Sequence, residues 1–192
     1  MARPDDGMPD VVRVEHRIRL ATPADIAEIE TLMKASVEAL FPAFYDEVQT
    51  ASSVRYIASV DRTLVADGTY FVIEAGGEVV ACGGWSRRDK LFVGEASQEG
   101  RDRLLDPATE PAHIRAMFVR GDWTRRGLGT LILQASEDAA REEGFVNLTL
   151  LATFPGRLLY ERYGFIVTGE PTEITLPDGV RVGCIPMDKP VA

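Results

Sequence analysis

The chain has little cysteine, no long apolar run and too few basic residues to balance its acids, and each shortage removes a class of function. Cys82 and Cys184 are isolated thiols with no metal-ligand spacing around them. Neither a disulfide framework nor a cysteine-based zinc site is expected, and a reducing, cytoplasmic setting suits them. No apolar stretch approaches the roughly 20 residues that span a bilayer, so no membrane association is expected. The 30 acidic against 21 basic residues give a formal net charge of −9. That balance argues against general binding to nucleic acid or to an anionic membrane, and it mildly favours encounter with cationic small molecules. Internal repeats and low-complexity tracts are absent too, and no Gly-Lys-Ser/Thr triplet occurs, which excludes a Walker phosphate loop.

What is present is enough for one well-buried domain: 192 residues, 45% of them hydrophobic. Residues 1–15, rich in Pro and Asp, read as a flexible tail and not as a targeting signal, leaving residues 16–192 as a single domain. A short strand at His16 to Leu20 precedes Thr22 and Pro23, which are suited to the N-cap and first position of a helix. Ile26, Ile29, Leu32, Met33 and Val37 give that helix its apolar stripe, and a second helical piece is expected over residues 45–59. Residues 70–75 and 78–85, joined by Gly76-Gly77, read as an antiparallel hairpin. The stretch 86–111 is charged and aperiodic, long for a connection inside a compact domain, and reads as an active-site flap. The strand HIRAMFV (113–119) then leads to a helix with a stripe of Leu128, Leu131, Ile132, Ala135 and Ala139, capped by Gly144. A strand over residues 145–151, a short helix from Pro155 to Tyr163 ending at Gly164, and two strands flanking Pro177-Asp178-Gly179 complete the chain. The order is α/β, with a mixed central β-sheet flanked by helices. Its C-terminal edge strand offers a surface for pairing with a second copy.

The most informative segment is Thr124-Arg-Arg-Gly-Leu-Gly-Thr130, a basic, glycine-rich turn between strand and helix. Gly127 and Gly129 let backbone approach a ligand closely, and the first free N–H groups of the helix point at an anion. Arg125 and Arg126 add charge. A Rossmann fingerprint needs glycine where this chain has Ile132. The plain alternative is a strand-to-helix turn with two solvated arginines, and its surroundings must decide.

The strand, the Gly-x-Gly turn, the helix and, about thirty residues on, LLYERYGF resemble in this order the Gcn5-related N-acetyltransferase (GNAT) superfamily, over roughly residues 17–189. The resemblance implies an acyl-CoA N-acyltransferase fold that opens as a V between two central strands and takes acetyl-CoA as acyl-donor cosubstrate, with no metal. It places Met117, Phe118 and Val119 along the pantetheine arm. The turn Thr124, Arg125, Arg126, Gly127, Leu128, Gly129 and Thr130 would hold the pyrophosphate. This chain has Thr124 where the family pattern opens with Gln or Arg, and Thr153, a further cofactor contact, where it often places Asn.

The chemistry follows from aminolysis of a thioester, which needs an uncharged amine, a polarised carbonyl and a proton for the departing thiolate. Tyr160 stands at the family's general-acid position, and a phenol with a pKa of about 10 suits that donor. Its plain alternative is packing against the sheet, the role expected for Tyr163. His113, with a reference pKa of about 6.5, is the candidate base and sits where many relatives carry glutamate. Glu110, Glu95 and Glu99 are further candidates, and Asp122 reads as a turn former. Cys82 lies mid-strand with no base beside it, so direct attack in a ternary complex is expected and not an acyl-enzyme. Trp85, Arg87 and Arg88 either line the acceptor pocket or serve as a core anchor and solvated charges. The reading is an N-acetyltransferase acting on a primary amine. A catalytically silent acyl-CoA sensor and a nucleotide-binding domain of another fold are the alternatives.

Overall fold

A computed structural model describes residues 15–90 and 102–191. The expected tail falls outside the described residues except for Glu15, as do Glu95 and Glu99. Four strands, β1 (His16–Leu20), β2 (Tyr70–Ala75), β3 (Glu78–Ser86) and β4 (Ala112–Val119), run antiparallel in chain order. The β2–β3 hairpin turns on Gly76 and Gly77, both at positive φ (62° and 85°), where glycine carries no steric cost. β5 (Asn147–Thr153) lies parallel to β4, and β8 (Arg181–Pro190) lies antiparallel to β5. On its outer side β8 carries β6 (Ile166–Val167) and β7 (Thr172–Thr175).

Helices cover both faces. α1 (Ile26–Leu40), α2 (Glu47–Tyr56) and α3 (Arg62–Ala66) enclose one core with Val72, Cys82 and Val182. On the other face, α4 (Leu128–Glu142) and α5 (Arg157–Tyr163) bury Ile73, Ala81, Leu148 and Met187. The five apolar residues assigned to α1 from its spacing are all buried. The stripe expected for α4 is partly out of phase. Leu128 and Ile132 are buried, but Leu131 is 40% exposed, and the inward face continues through Gly129, Leu133, Ser136, Glu137 and Ala140. The cause is polar: Glu137 faces inward because Lys189 of β8 and the Tyr163 hydroxyl of α5 both bind it, which an apolar count overlooks.

What positions the site is an irregularity in β4. Ala116 and Met117 together oppose Gly83 of β3, a β-bulge, and Ala116 takes a left-handed φ of 51°, uncommon for alanine. The Tyr70 hydroxyl fixes the bulge by donating to the Ala116 carbonyl at 2.7 Å. A Cβ on Gly83 would sit 2.3 Å from the Met117 sulfur, so any larger residue opposite the bulge would have to displace the Met117 side chain. β4 and β5 pair only at Ala112↔Leu148 and His113↔Thr149. Beyond these two rungs the strands separate, and the V-shaped opening expected from the sequence is present.

Candidate active site

A cavity of about 520 Å³ passes through that opening, from the α1–α2 face to the α4–α5 face. Its walls between the strands are Ile114 to Val119 of β4 together with Leu150, Leu151 and Thr153 of β5. One end is the turn into α4, where Thr124, Arg125, Gly127, Leu128, Gly129 and Thr130 line it. Arg125 and Gly127 both adopt positive φ, 61° and 83°, and α4 starts at Leu128, so that its first residues, Leu128, Gly129 and Thr130, line the opening.

Arg126, grouped with this turn from the sequence, does not line the cavity. Its guanidinium lies over the Trp123 ring at 4.5 Å and donates to the Asp122 carbonyl at 3.1 Å. Trp123 itself does line the cavity, and so does Arg162, one helical turn beyond Leu158. Neither residue was singled out from the sequence. Arg162 was legible from the i, i+4 spacing that puts it on the Leu158 face of α5. Gly129 has a second role: a Cβ there would lie 2.7 Å from Leu159 Cδ2, so its small size also lets α4 and α5 close on each other.

Tyr160 sits across from this wall, 9% exposed and lining the cavity. Its ring packs edge-to-face on Phe165 at 5.9 Å and lies over Gly156, whose Cβ would come 2.9 Å from Cε2. Its hydroxyl has no hydrogen bond to any described residue, and burial pushes its pKa up. The phenol is therefore held protonated with its proton unspent. Tyr163, by contrast, donates to Glu137 and is structural, as expected.

His113 is buried one position outside the cavity lining. Its Nδ1 lies 3.3 Å from the Lys90 carbonyl, which also accepts from Arg115 Nη1 at 2.6 Å. A carbonyl only accepts, so this contact selects the tautomer with hydrogen on Nδ1 and leaves the Nε2 lone pair open. Burial first, and the Arg115 charge after it, lower the His113 pKa, keeping the ring neutral.

The remaining candidates lie apart. Glu110 is bound by Arg103 and by the Asp106 N–H; the Arg103 guanidinium holds its carboxyl down to about 2. Asp122 is exposed, bonded to Arg120 at the turn before α4. Trp85 is a core anchor against Phe145, Arg87 pairs with Glu143, and Arg88 pairs with Asp67. The described parts of the expected flap are thus tied down, and none of them lines the cavity. Cys82 is fully buried, its thiol pushed up to about 12 by that burial, which removes it as a nucleophile at neutral pH. Among the described residues no helix is long and apolar enough to cross a membrane.

With this geometry in hand, comparison with known proteins is specific. Residues 32–165 match the model of the acetyltransferase (GNAT) family. The chain is similar to a GCN5-related N-acetyltransferase (aminotransferase, class-II) from Rhodopseudomonas palustris, at 21% identity and a TM-score of 0.69, over 91% of this chain and 94% of that one. It is similar to the PaiA N-acetyltransferase of Thermoplasma acidophilum, solved in complex with coenzyme A, at 13% identity and a TM-score of 0.65, over 92% and 99%. The ribosomal-protein-S18-alanine N-acetyltransferase of Escherichia coli matches at 21% identity with a TM-score of 0.54, over 93% and 95%. At these identities the likeness speaks for the fold. Together with the family match it establishes that the chain belongs to the GNAT family of acetyltransferases.

Proposed function

We propose that the chain transfers an acetyl group from acetyl-CoA to a primary amine by direct attack in a ternary complex. One observation carries the reading: a basic helix N-terminus and a buried, unbonded phenol line the same opening between two splayed strands. CoA enters from the α4 face, with its pyrophosphate on the N–H groups after Gly127 and beside Arg125. The pantetheine runs along Met117 to Val119 and past Thr153, where β4 has no strand partner on that side. The amine enters from the α1–α2 face and attacks the thioester carbonyl. The C–N bond forms, the C–S bond breaks, and the thiolate takes the Tyr160 proton. His113 Nε2 receives the amine proton through one water, since its ring stands just outside the lining. With Cys82 held as a buried thiol, no acyl-enzyme is required, so initial velocities against both substrates should give intersecting and not parallel lines.

Two further results are expected. Arg125→Glu puts a negative charge beside the pyrophosphate and should weaken acetyl-CoA binding by about tenfold. Quenching of Trp123 fluorescence on titration reports it, because the other tryptophan, Trp85, is fully buried in the core. Unchanged affinity would remove the pyrophosphate from this turn. For His113 the sign follows from its lowered pKa: the neutral base persists below pH 6.5, and kcat/KM should fall only as pH drops through that lowered value. His113→Gln should abolish this acid limb and slow the reaction about 10²-fold. A profile identical to that of the unaltered chain would exclude His113 as base.

A further inference from the structure

The acceptor arm of the cavity has a composition at odds with the overall charge. Among the described lining residues of the whole cavity there is no carboxylate, although the chain carries 30 acidic residues; the charged groups of that lining are Arg115, Arg125 and Arg162. Arg125 and Arg162 are exposed on the α4–α5 side, whereas Arg115 is 4% exposed and sits in β4 where α1 packs. Among the described residues, two of its five N–H donors are engaged, by the Lys90 carbonyl at 2.6 Å and by Asp61 Oδ2 at 3.1 Å. Asp61 does not line the cavity and is shared with Lys90 Nζ at 3.6 Å, so the group of Arg115, Lys90 and Asp61 keeps a net positive charge. On the facing helix, Ser36 is 3% exposed and lines the cavity, and its hydroxyl has no hydrogen bond to any described residue. Besides Ser59, the rest of this arm is apolar: Leu40, Phe41, Ile57 and Ile174.

Buried donors without acceptors beside an apolar wall define their complement. We infer that the acceptor is a small amine with an apolar body and a carboxylate, the carboxylate received by Arg115 and Ser36 and the body by Leu40, Phe41, Ile57 and Ile174. A polyamine finds no counter-charge among the described residues of this wall, which reverses the preference that net charge alone suggests. The inference rests on the proposed transferase reading and names the substrate class of that same site.

The test uses the full chain loaded with CoA and titrated with product-like pairs that differ only in the carboxylate: N-acetylphenylalanine against N-acetylphenethylamine, and N-acetylleucine against N-isoamylacetamide. In at least one pair the carboxylate member should bind about tenfold more tightly or better, and N-acetylspermidine should bind more weakly than that member. Ser36→Ala, a small change on a helix, and Arg115→Lys, which keeps the charge facing Asp61 but loses the planar fork, should each narrow the gap while CoA affinity stays within about twofold. Equal binding within both pairs, binding of no member, or a gap that neither variant narrows overturns the inference and leaves the CoA reading standing. Failure of CoA itself to bind, seen in the loading titration, removes the reading and the inference together.

Discussion

Replacing Tyr160 by phenylalanine should lower turnover by about 10²- to 10³-fold while acetyl-CoA affinity changes by no more than about twofold. The substitution keeps the ring, and with it the edge-to-face contact with Phe165 and the fit over Gly156, so the fold and the cavity wall are preserved. What it removes is one hydroxyl that holds no partner among the described residues, so no buried group is left unsatisfied. A loss confined to kcat therefore reports the proton given to the leaving thiolate. An alkyl thiolate, whose conjugate acid has a pKa of about 8.5, is a poor leaving group in a desolvated cavity without that proton. Retained turnover would show that water protonates the thiolate and would reduce Tyr160 to a packing residue.

The second large effect is on stability. Glu137 on α4, Lys189 on β8 and Tyr163 on α5 meet beneath the site. Lys189 Nζ and the Tyr163 hydroxyl approach the two carboxylate oxygens at 2.5 and 2.6 Å, and the Glu137 side chain is only 4% exposed. Lys189→Met should cost about 3 to 5 kcal/mol, because it breaks a buried ion pair by removing one of its two ends. At about 2 to 4 °C per kcal/mol for a domain of this size, the thermal midpoint should fall by roughly 6 to 20 °C. The double variant Glu137→Leu with Lys189→Met should lose less than the single one, since both ends of the buried pair are then replaced by apolar side chains. A shift of under about 2 °C for Lys189→Met would mean that solvent reaches the pair and that α5 is anchored by its apolar face alone.

These two residues mark the boundary of what the sequence makes legible. Tyr160 was visible because motif and chemistry agree: a phenol at a fixed offset before Gly-Phe, after a glycine-rich turn. α1 and the β2–β3 hairpin were visible because their apolar spacing and glycines are local signals. Glu137 was not, because Tyr163 and Lys189, which bind it, lie 26 and 52 residues further along the chain and a charged residue reads as solvent-facing. The same blindness displaced the α4 stripe and hid α3, a five-residue helix capped by Asp61. The turn read as a pyrophosphate cradle does line the opening, but Arg126 is drawn off by Trp123, a contact that no spacing rule anticipates. Arg115 carried a signal that went unused: a charge in the middle of HIRAMFV is either buried and paired or part of a site. The β4 bulge is illegible locally, since it depends on Gly83 opposite and on the Tyr70 hydroxyl, both distant in sequence.

The most direct test of the account is titration calorimetry of the purified chain with acetyl-CoA, CoA and NAD, followed on the same sample by thiol release against a panel of primary amines. The account predicts one site for acetyl-CoA and for CoA, none for NAD, and thiol release with at least one amine. Absence of heat with either CoA species would contradict it at its root. Binding without thiol release from any amine would contradict the transferase and leave a sensor of acyl-CoA in its place.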